Sequence, residues 1–170
     1  GRQRQFNQIG IEVLGSMNPA TDVEGIALAW DYFIELGIEK ISLQINSLGK
    51  TQDRKAYLDA LVAYFSPLAD QLSEDSKKRL KTNPLRIIDS KDPKDQELVK
   101  DAPVILDYLS QESQEHFEAV KSLLEALNIP FEVNPYVVRG LDYYQDTTFE
   151  IMVDDDTIGA QSTICGGGRY

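Results

Sequence analysis

An arginine and two tyrosines lie close together in the sequence VVRGLDYY, which spans residues 137–144. Arg139 stands beside a glycine, and Asp142, Tyr143 and Tyr144 follow within five residues. A guanidinium fixed at a turn presents planar donors that suit a carboxylate or a phosphate, and phenolic hydroxyls add further donors. The pattern predicts an anion-binding site. The alternative is that Arg139 pairs with Asp142 to brace a loop while the tyrosines pack in the core.

Polar side chains also alternate near the start of the chain, in RQRQFNQIGIE. On a strand, Arg2 and Arg4 project to one face, as do Gln8 and Glu12, because successive side chains point to opposite faces. Such a face could hold an amine and a phosphate together. The spacing alone favours the simpler alternative, a polar sheet face open to water.

Three consecutive glycines, Gly166, Gly167 and Gly168, precede Arg169 in CGGGRY. Glycines in a strand forfeit side-chain packing, so their presence indicates that a ligand or another backbone approaches closely. A glycine-rich hairpin turn is the alternative. The run is not a P-loop, since no Lys-Ser or Lys-Thr follows it.

Other reactive side chains give weaker signals. His116 lies in a polar helical stretch and is predicted to be a surface histidine. Cys165 has no histidine near it in sequence, which argues against a nucleophile. It is the only cysteine, so an intrachain disulfide and a multi-cysteine zinc site are excluded, in keeping with a reducing compartment. No metal-ligand spacing is present, and no metal site is predicted.

The first fifty residues predict a strand, a helix and a second strand. Residues 5–14 carry apolar side chains near period two, and residues 40–47 alternate again. Between them, Thr21 and Glu24 form a capping-box pattern at the start of an amphipathic helix, which should end at Gly37. This order predicts a mixed α/β layer.

Residues 51 to about 113 predict a small helical insertion, because an apolar helical stripe is followed by short polar segments broken by prolines. Residues 74–101 contain eight basic and seven acidic residues, and the segment KKRLKTNPLR (77–86) contains no acidic residue. The last part returns to a helix, followed by the strands PFEV, TTFEIMV and TIGAQSTICGGG. The acidic DDD at 154–156 predicts a solvated hairpin turn.

The chain has 170 residues and a formal net charge of −11, with 42% hydrophobic and 26% charged residues, which is typical of a soluble globular protein. Net acidity argues against a generally basic nucleic-acid binder but leaves room for a local basic patch. No apolar run approaches the roughly 20 residues that a membrane span needs, and no signal peptide is apparent. Both ends look cut.

Taken together, GRQRQFNQIGIEVLG, VRGLDYYQDTTFE and CGGGRY resemble the bacterial histidyl-tRNA synthetases, and VRGLDYY is nearly private to that family. The segments TNPLRIIDSKDP, DAPVILDYLSQESQEHF and LNIPFEVNP agree with the resemblance. It implies an α+β fold: the antiparallel sheet of a class II synthetase, in part, flanked by helices and carrying a mostly helical insertion. The implied division is 1–50 and 114–170 for the catalytic core and 51–113 for the insertion.

The resemblance also implies roles for individual residues. Arg139 would be the catalytic arginine, reaching both the histidine carboxylate and the ATP α-phosphate. The residues implied to bind histidine are Gln8, Glu12, Arg139, Tyr143, Tyr144, Gly166 and Gly167. Those implied to bind ATP are Arg2, Arg4, Arg139, Gly168 and Arg169. Separately, the basic run predicts that Lys77, Lys78, Arg79 and Lys81 face the tRNA acceptor arm; the alternative is a solvated helix face.

The implied reaction is activation of L-histidine by ATP, with Mg²⁺ in the substrate complex, and transfer to tRNA(His). A cytoplasmic homodimer with no membrane partner is implied for the full-length protein. Gln3 and Asn7 depart from the family, which usually has an aromatic residue and a histidine there. Because other class II motifs and an anticodon-binding domain are absent, this stretch alone is not expected to charge tRNA.

Two alternatives share the resemblance. One is the synthetase-like regulatory subunit of ATP phosphoribosyltransferase, which does not aminoacylate. The other is a non-catalytic synthetase-like domain that senses uncharged tRNA in a stress-responsive kinase. The intact VRGLDYY argues against the first, and the bacterial character of the insertion argues against the second.

Overall fold

The computed structural model describes residues 4–38, 40–138, 143–153 and 163–170. Helices and strands alternate at the two ends of the chain, and the middle is helical. The helices are α1 (Pro19–Glu35), α2 (Thr51–Phe65), α3 (Glu74–Thr82), α4 (Leu85–Ile88), α5 (Pro93–Val99) and α6 (Gln111–Ala126), with 3₁₀ turns at Ser66–Gln71 and Ile105–Tyr108. The strands are β1 (Ile41–Ser47), β2 (Glu132–Val133), β3 (Gln145–Val153) and β4 (Thr163–Arg169).

The four strands form one sheet in the order β2-β1-β3-β4. β1 pairs antiparallel with β3 from Ile41 opposite Val153 to Ser47 opposite Thr147, and β3 pairs antiparallel with β4. Only the short β2 runs parallel to its neighbour β1. The predicted α+β class with a largely antiparallel sheet is confirmed.

The predicted strand at residues 5–14 is wrong. No regular element is formed there, and the apolar side chains face solvent, with Phe6 68% and Ile9 84% exposed. A strand is stable only when its backbone groups pair with a neighbour and one face is covered. Alternation of apolar residues meets neither condition by itself, and within the described residues the sheet ends at β4.

Helix α1 begins three residues earlier than the capping box predicts. Its N-cap is Asn18, whose side-chain oxygen accepts the Ala20 N–H at 2.9 Å, and Thr21 lies inside the helix. Pro19 occupies the first turn, where a missing N–H has no cost. The predicted end is confirmed: Gly37 follows the helix with a φ of 79°, a left-handed conformation that glycine adopts without strain.

The helices and strands at the two ends of the chain share one apolar cluster. Val23 and Ile26 of α1 pack with Phe117, Val120 and Leu124 of α6 against the inner face of the sheet. This cluster joins residues before and after the helical middle of the chain. Packing of α6 against α1 therefore brings the chain back to the sheet after the helical middle, so that β2 can pair with β1.

The middle of the chain is helical, as predicted, and has its own apolar cluster. Leu61, Phe65 and Ile87 are fully buried in it. Asp95 at the start of α5 is also fully buried and accepts hydrogen bonds from Ser73, Ser76 and Ser90. Since the short helices bury few side chains each, these bonds hold the connecting loops together.

The predicted helix near residues 117–127 and the strands PFEV and TTFEIMV are confirmed as α6, β2 and β3. The acidic turn at 154–156 lies outside the described residues. Across the described ranges, no helix combines the length and the apolar character that crossing a membrane requires.

Candidate active site

A cavity of about 820 Å³ opens between the irregular segment 8–17, the start of α1 and the outer strand β4. This volume falls within the usual range of small-molecule sites. Among the residues predicted to bind ligands, those that line it are Gln8, Glu12, Tyr144, Gly166, Gly167, Gly168 and Arg169. The fold therefore brings together three sequence segments, the first of which lies more than a hundred residues before the other two.

A carboxylate and a phenol close one side of the cavity. The Tyr170 hydroxyl donates a hydrogen bond to Glu12 Oε2 at 3.1 Å. Loss of solvent and this bond to a carboxylate raise the pKa of Tyr170, so its hydroxyl stays protonated and remains a donor at neutral pH. Tyr170 carries no signal in the sequence, because no local spacing relates it to a residue 158 positions earlier.

An aromatic group borders the cavity beside these residues. The Tyr143 ring lies 5.2 Å from the Tyr144 ring and 5.9 Å from the Tyr170 ring, both in edge-to-face geometry. Tyr144 lines the cavity, whereas Tyr143 is exposed and touches it only through its neighbours. The backbone carbonyl of Tyr144 accepts a hydrogen bond from Arg54 Nη2 of α2, a contact that the sequence did not indicate.

The glycine strand is required by the protein's own packing. A Cβ on Gly167 would lie 2.7 Å from the Phe149 ring, and one on Gly168 would lie 2.9 Å from the Thr147 carbonyl oxygen. Close approach was predicted, and the neighbouring strand β3 makes it. The three glycines also line the cavity.

Behind the glycines, Arg169 forms a buried ion pair with Asp22 of α1. Nη2 lies 2.7 Å from Oδ1, and Nε donates to Oδ2 at 3.2 Å. The same Oδ2 accepts the Thr147 hydroxyl at 2.7 Å and lies 2.7 Å from His116 Nε2. Burial by itself would raise the pKa of Asp22, but the bonds from His116, Thr147 and Arg169 outweigh it and hold that pKa below its ordinary value.

His116 is therefore not the surface histidine that the sequence predicted. Its side chain is only 12% exposed and contacts Asp22 across 94 residues of sequence. Asp22 itself gave no functional signal, because an acid in the first turn of a helix is commonly a partner of the helix dipole.

A family model described as histidyl-tRNA synthetase matches residues 1–170, the full length of the chain. The chain belongs to the histidyl-tRNA synthetase family. The family that the sequence motifs indicated is thereby confirmed.

Curated histidine–tRNA ligases are similar along the whole chain. Those of Synechococcus sp. (strain JA-3-3Ab), Streptococcus pyogenes serotype M18 (strain MGAS8232) and Prochlorococcus marinus (strain MIT 9303) are 54%, 55% and 56% identical over 170 residues. The matches cover 100% of this chain but 40%, 39% and 38% of the relatives. The chain thus spans about 40% of the length of these relatives.

Solved structures agree on the fold. The apo histidyl-tRNA synthetase of S. aureus matches with a TM-score of 0.70 and 38% identity, over 92% of this chain and 37% of the other. A protein from Bacillus halodurans, described as an ATP phosphoribosyltransferase regulatory subunit/histidyl-tRNA synthetase, matches with a TM-score of 0.54 and 17% identity, over 92% and 44%. The second likeness shows the fold alone.

The remaining family-based site residues are distributed as follows. Arg4 is exposed and does not line the cavity, and Arg2 and Arg139 lie outside the described residues. The four residues assigned to tRNA lie on the separate helix α3, where Lys77 and Lys78 pair with Glu74 at 2.7 Å and Asp75 at 3.6 Å. Arg79 Nη1 donates to the carbonyl of Arg86, and Lys81 is exposed.

Proposed function

We propose that this chain supplies the histidine-activating cavity of a histidine–tRNA ligase. The full-length protein would join L-histidine to ATP as histidyl-adenylate, release pyrophosphate, and transfer histidine to tRNA(His). The observation that carries the proposal is the convergence of Gln8, Glu12, Tyr144 and the glycine strand on one cavity. It is supported by the 54–56% identity to curated ligases across the whole chain.

The groups around the cavity suit the parts of histidine. The Glu12 carboxylate and the Gln8 amide oxygen can accept from the α-ammonium group, and the Tyr144 hydroxyl can bond a neutral imidazole nitrogen. Gly166 and Gly167 leave room for the ligand to lie against the backbone. An amino acid without an imidazole would forgo the hydrogen bond to the Tyr144 hydroxyl, and loss of such a bond is a strong basis for rejection.

The chemical step brings a carboxylate against the α-phosphorus, so two anions must approach each other. Arg139 is proposed to bind both and to stabilise the charge that develops on the phosphoryl oxygens. This is positioning and electrostatic stabilisation, with no proton transfer by the arginine. Arg2 and Arg4 are proposed to reach the ATP phosphates, with Gly168 beside them. Arg169, which the resemblance also assigned to ATP, is bound to Asp22 and is not included among the proposed ATP ligands. Mg²⁺ would arrive bound to ATP as part of the substrate.

Three further family properties are part of the proposal. Residues 51–113 form an insertion whose helix α3 contacts the tRNA acceptor arm through Lys77, Lys78, Arg79 and Lys81. The full-length protein is a cytoplasmic homodimer. The boundaries at 50 and 114 separate this insertion from the catalytic core.

The decisive experiment is histidine-dependent ATP–pyrophosphate exchange by the full-length protein. We expect exchange with histidine and none with other amino acids. Histidine binding without exchange would instead favour the regulatory subunit of ATP phosphoribosyltransferase. Binding of uncharged tRNA without histidine binding or exchange would favour a tRNA-sensing domain.

The role of Arg139 gives a sharper prediction. In the full-length protein, Arg139→Ala should lower the rate of adenylate formation by about 10²–10³, because one preorganised donor to the developing charge is removed. Histidine affinity should fall much less. Single-turnover adenylate formation and equilibrium histidine binding measure the two quantities separately.

Arg86→Ala is the matched control, since Arg86 is an exposed arginine on α4 that does not line the cavity. Equal losses of histidine affinity and of rate in Arg139→Ala would contradict a role specific to the transition state.

A further inference from the structure

We propose that Asp22 and Arg169 form a clamp that sets the width of the cavity, and that Arg169 acts as a positioning residue and not as an ATP ligand. The clamp is defined as these two side chains with the backbone carbonyls of Ser16 and Asn18. The inference rests on the proposed function for its kinetic readout.

The donors of Arg169 are used within the protein. A guanidinium has five N–H donors. Nε and Nη2 engage the two oxygens of Asp22, Nη2 also donates to the carbonyl of Asn18 at 3.1 Å, and Nη1 donates to the carbonyl of Ser16 at 2.8 Å. Nη1 has a weaker contact with Met17 Sδ at 3.8 Å. Binding an ATP phosphate would require breaking part of this set.

Both charged side chains of the clamp are buried. The side chains of Arg169 and Asp22 are 6% and 9% exposed. A buried charge pair tolerates poorly the removal of one partner, because the other charge is left without compensation. Asp22 is further held by His116 of α6 and Thr147 of β3, so that four elements of the catalytic core meet at one carboxylate.

The clamp lies between two segments that line the cavity. Arg169 directly follows the three glycines on β4, and the carbonyls it binds lie just after the segment carrying Gln8 and Glu12. These two segments form walls of the same cavity. The carbonyl of Asn18 also accepts the Thr21 N–H at 3.0 Å, so the clamp and the first turn of α1 share an acceptor. Releasing the clamp should move the histidine-binding wall away from the glycine wall.

The test uses the full-length protein with Asp22→Asn, Arg169→Lys and the double variant, each assayed by pyrophosphate exchange. Asp22→Asn keeps the shape but removes the charge, and Arg169→Lys keeps the charge but removes the planar fork of donors. We expect each single variant to raise KM for histidine by about tenfold or more, as misplacement of binding groups does. KM for ATP should stay near its unmodified value. The double variant should be no worse than either single one, because both remove the same clamp.

A rescue experiment separates positioning from a direct role in ATP binding. Free guanidinium added to Arg169→Ala should lower the raised KM for histidine. A variant that raises KM for ATP and leaves that for histidine unchanged would make Arg169 an ATP ligand and overturn the proposal. Arg86→Lys and Asp101→Asn, both exposed, serve as controls for the two substitutions.

Hydrogen exchange provides a readout that does not depend on activity. In Asp22→Asn, amides of the first turn of α1 should exchange faster while those of α2 and α3 do not change. Unchanged exchange in α1 would contradict the clamp. If the unmodified protein lacks histidine-dependent pyrophosphate exchange, the proposed function fails while this measurement still tests the clamp.

Thr147→Ala covers the case in which the Asp22 and Arg169 variants do not fold. It removes one hydrogen bond to Asp22 and leaves the ion pair. We expect the same rise in KM for histidine in smaller measure, and no rise at all would count against the clamp.

Discussion

At the scale of single residues, three aspartates stabilise loops by accepting several hydrogen bonds each. Asp22 of α1 joins α6, β3 and β4, and Asp95 joins the loops of the helical middle. Asp53 accepts the Lys50 N–H at 3.0 Å and the Ser110 hydroxyl at 3.0 Å. Burial alone would raise their pKa values, but the bonds to the ionised form dominate and lower all three. Each carboxylate therefore stabilises the fold most when it is ionised.

Asp95 gives a prediction about stability. Asp95→Ala should lower the free energy of unfolding of the helical middle by about 2–4 kcal/mol at neutral pH, because the buried hydroxyls of Ser76 and Ser90 and the half-buried hydroxyl and N–H of Ser73 would lose their acceptor. Urea unfolding followed by circular dichroism measures the change. Asp101→Ala, at an exposed site, is the control and should have little effect.

The same variant has a predicted pH dependence. The pKa of Asp95 is lowered from 3.8 in the folded protein, so its stabilisation is complete above the unfolded value and disappears as pH falls through the folded value. The difference in unfolding free energy between Asp95→Ala and the unmodified protein should therefore shrink below about pH 3.8. A difference that stays constant into strong acid would show that the charge of Asp95 is unimportant.

At the scale of elements, α3 is the one dense run of positive charge in a chain with net charge −11. Its first-turn acids pair with Lys77 and Lys78 at three-residue spacing on an exposed surface. Such pairs contribute little, roughly 0–1 kcal/mol, so a phosphate can compete for these cations. Lys78 and Lys81 are the more exposed of the four and are the ones best placed to meet a nucleic acid.

We predict that Lys78→Glu with Lys81→Glu weakens tRNA binding by the full-length protein and leaves pyrophosphate exchange unchanged. The slope of log affinity against log salt should fall by about one for each phosphate that the variant no longer neutralises. Filter binding at several salt concentrations measures it. The control is Lys94→Glu with Lys100→Glu, on and directly after α5, which changes the charge by the same amount and should leave the slope unchanged. Equal slopes for the two double variants would show that the basic residues of α3 form a solvated helix face with no contact to tRNA.

At the scale of the whole molecule, the described residues form two apolar clusters, one between the two ends of the chain and one in the helical middle. Leu106 packs against both of them. The chain passes from one cluster to the other at residues 48–50 and returns near Ser110. Asp53 links these two connections, because its carboxylate accepts hydrogen bonds from both Lys50 and Ser110. We infer that the two clusters can lose stability separately, with Leu106 and the hydrogen bond from Arg54 to the Tyr144 carbonyl coupling the helical middle to the cavity.

Two fully buried leucines test that separation, since Leu61 and Leu124 are both 0% exposed but belong to different clusters. Truncation of either to alanine should cost about 2–5 kcal/mol locally. Leu61→Ala should reduce transfer to tRNA more than pyrophosphate exchange, whereas Leu124→Ala should reduce both. Parallel losses of exchange in the two variants would mean that the two clusters unfold as one cooperative unit.

Much of the fold follows from local chemistry that the sequence carries. The periodicity of α1, α2 and α6, the end of α1 at Gly37, the alternation of β1 and β3 and the prolines of the helical middle all act within a few residues, and each prediction from them was confirmed. The start of α1 differed because Asn18 is an equally good cap that lies upstream of Thr21. The motifs RQRQFNQ, VRGLDYY and CGGGRY likewise sufficed to assign the family.

Only the tertiary structure decided which side chains meet. The sequence predicted a strand at 5–14, but pairing needs a neighbour, and no property of those residues supplies one. Neither Tyr170 beside Glu12 nor Arg54 on the Tyr144 carbonyl follows from spacing, since each contact spans 90 residues or more. His116 was predicted to be a surface histidine and Arg169 to bind ATP, and both side chains contact Asp22 in the fold. Propensity and periodicity act over a few residues. The partners of a buried charge are instead the polar groups that the fold places within about 3 Å of it, however far away they are in sequence.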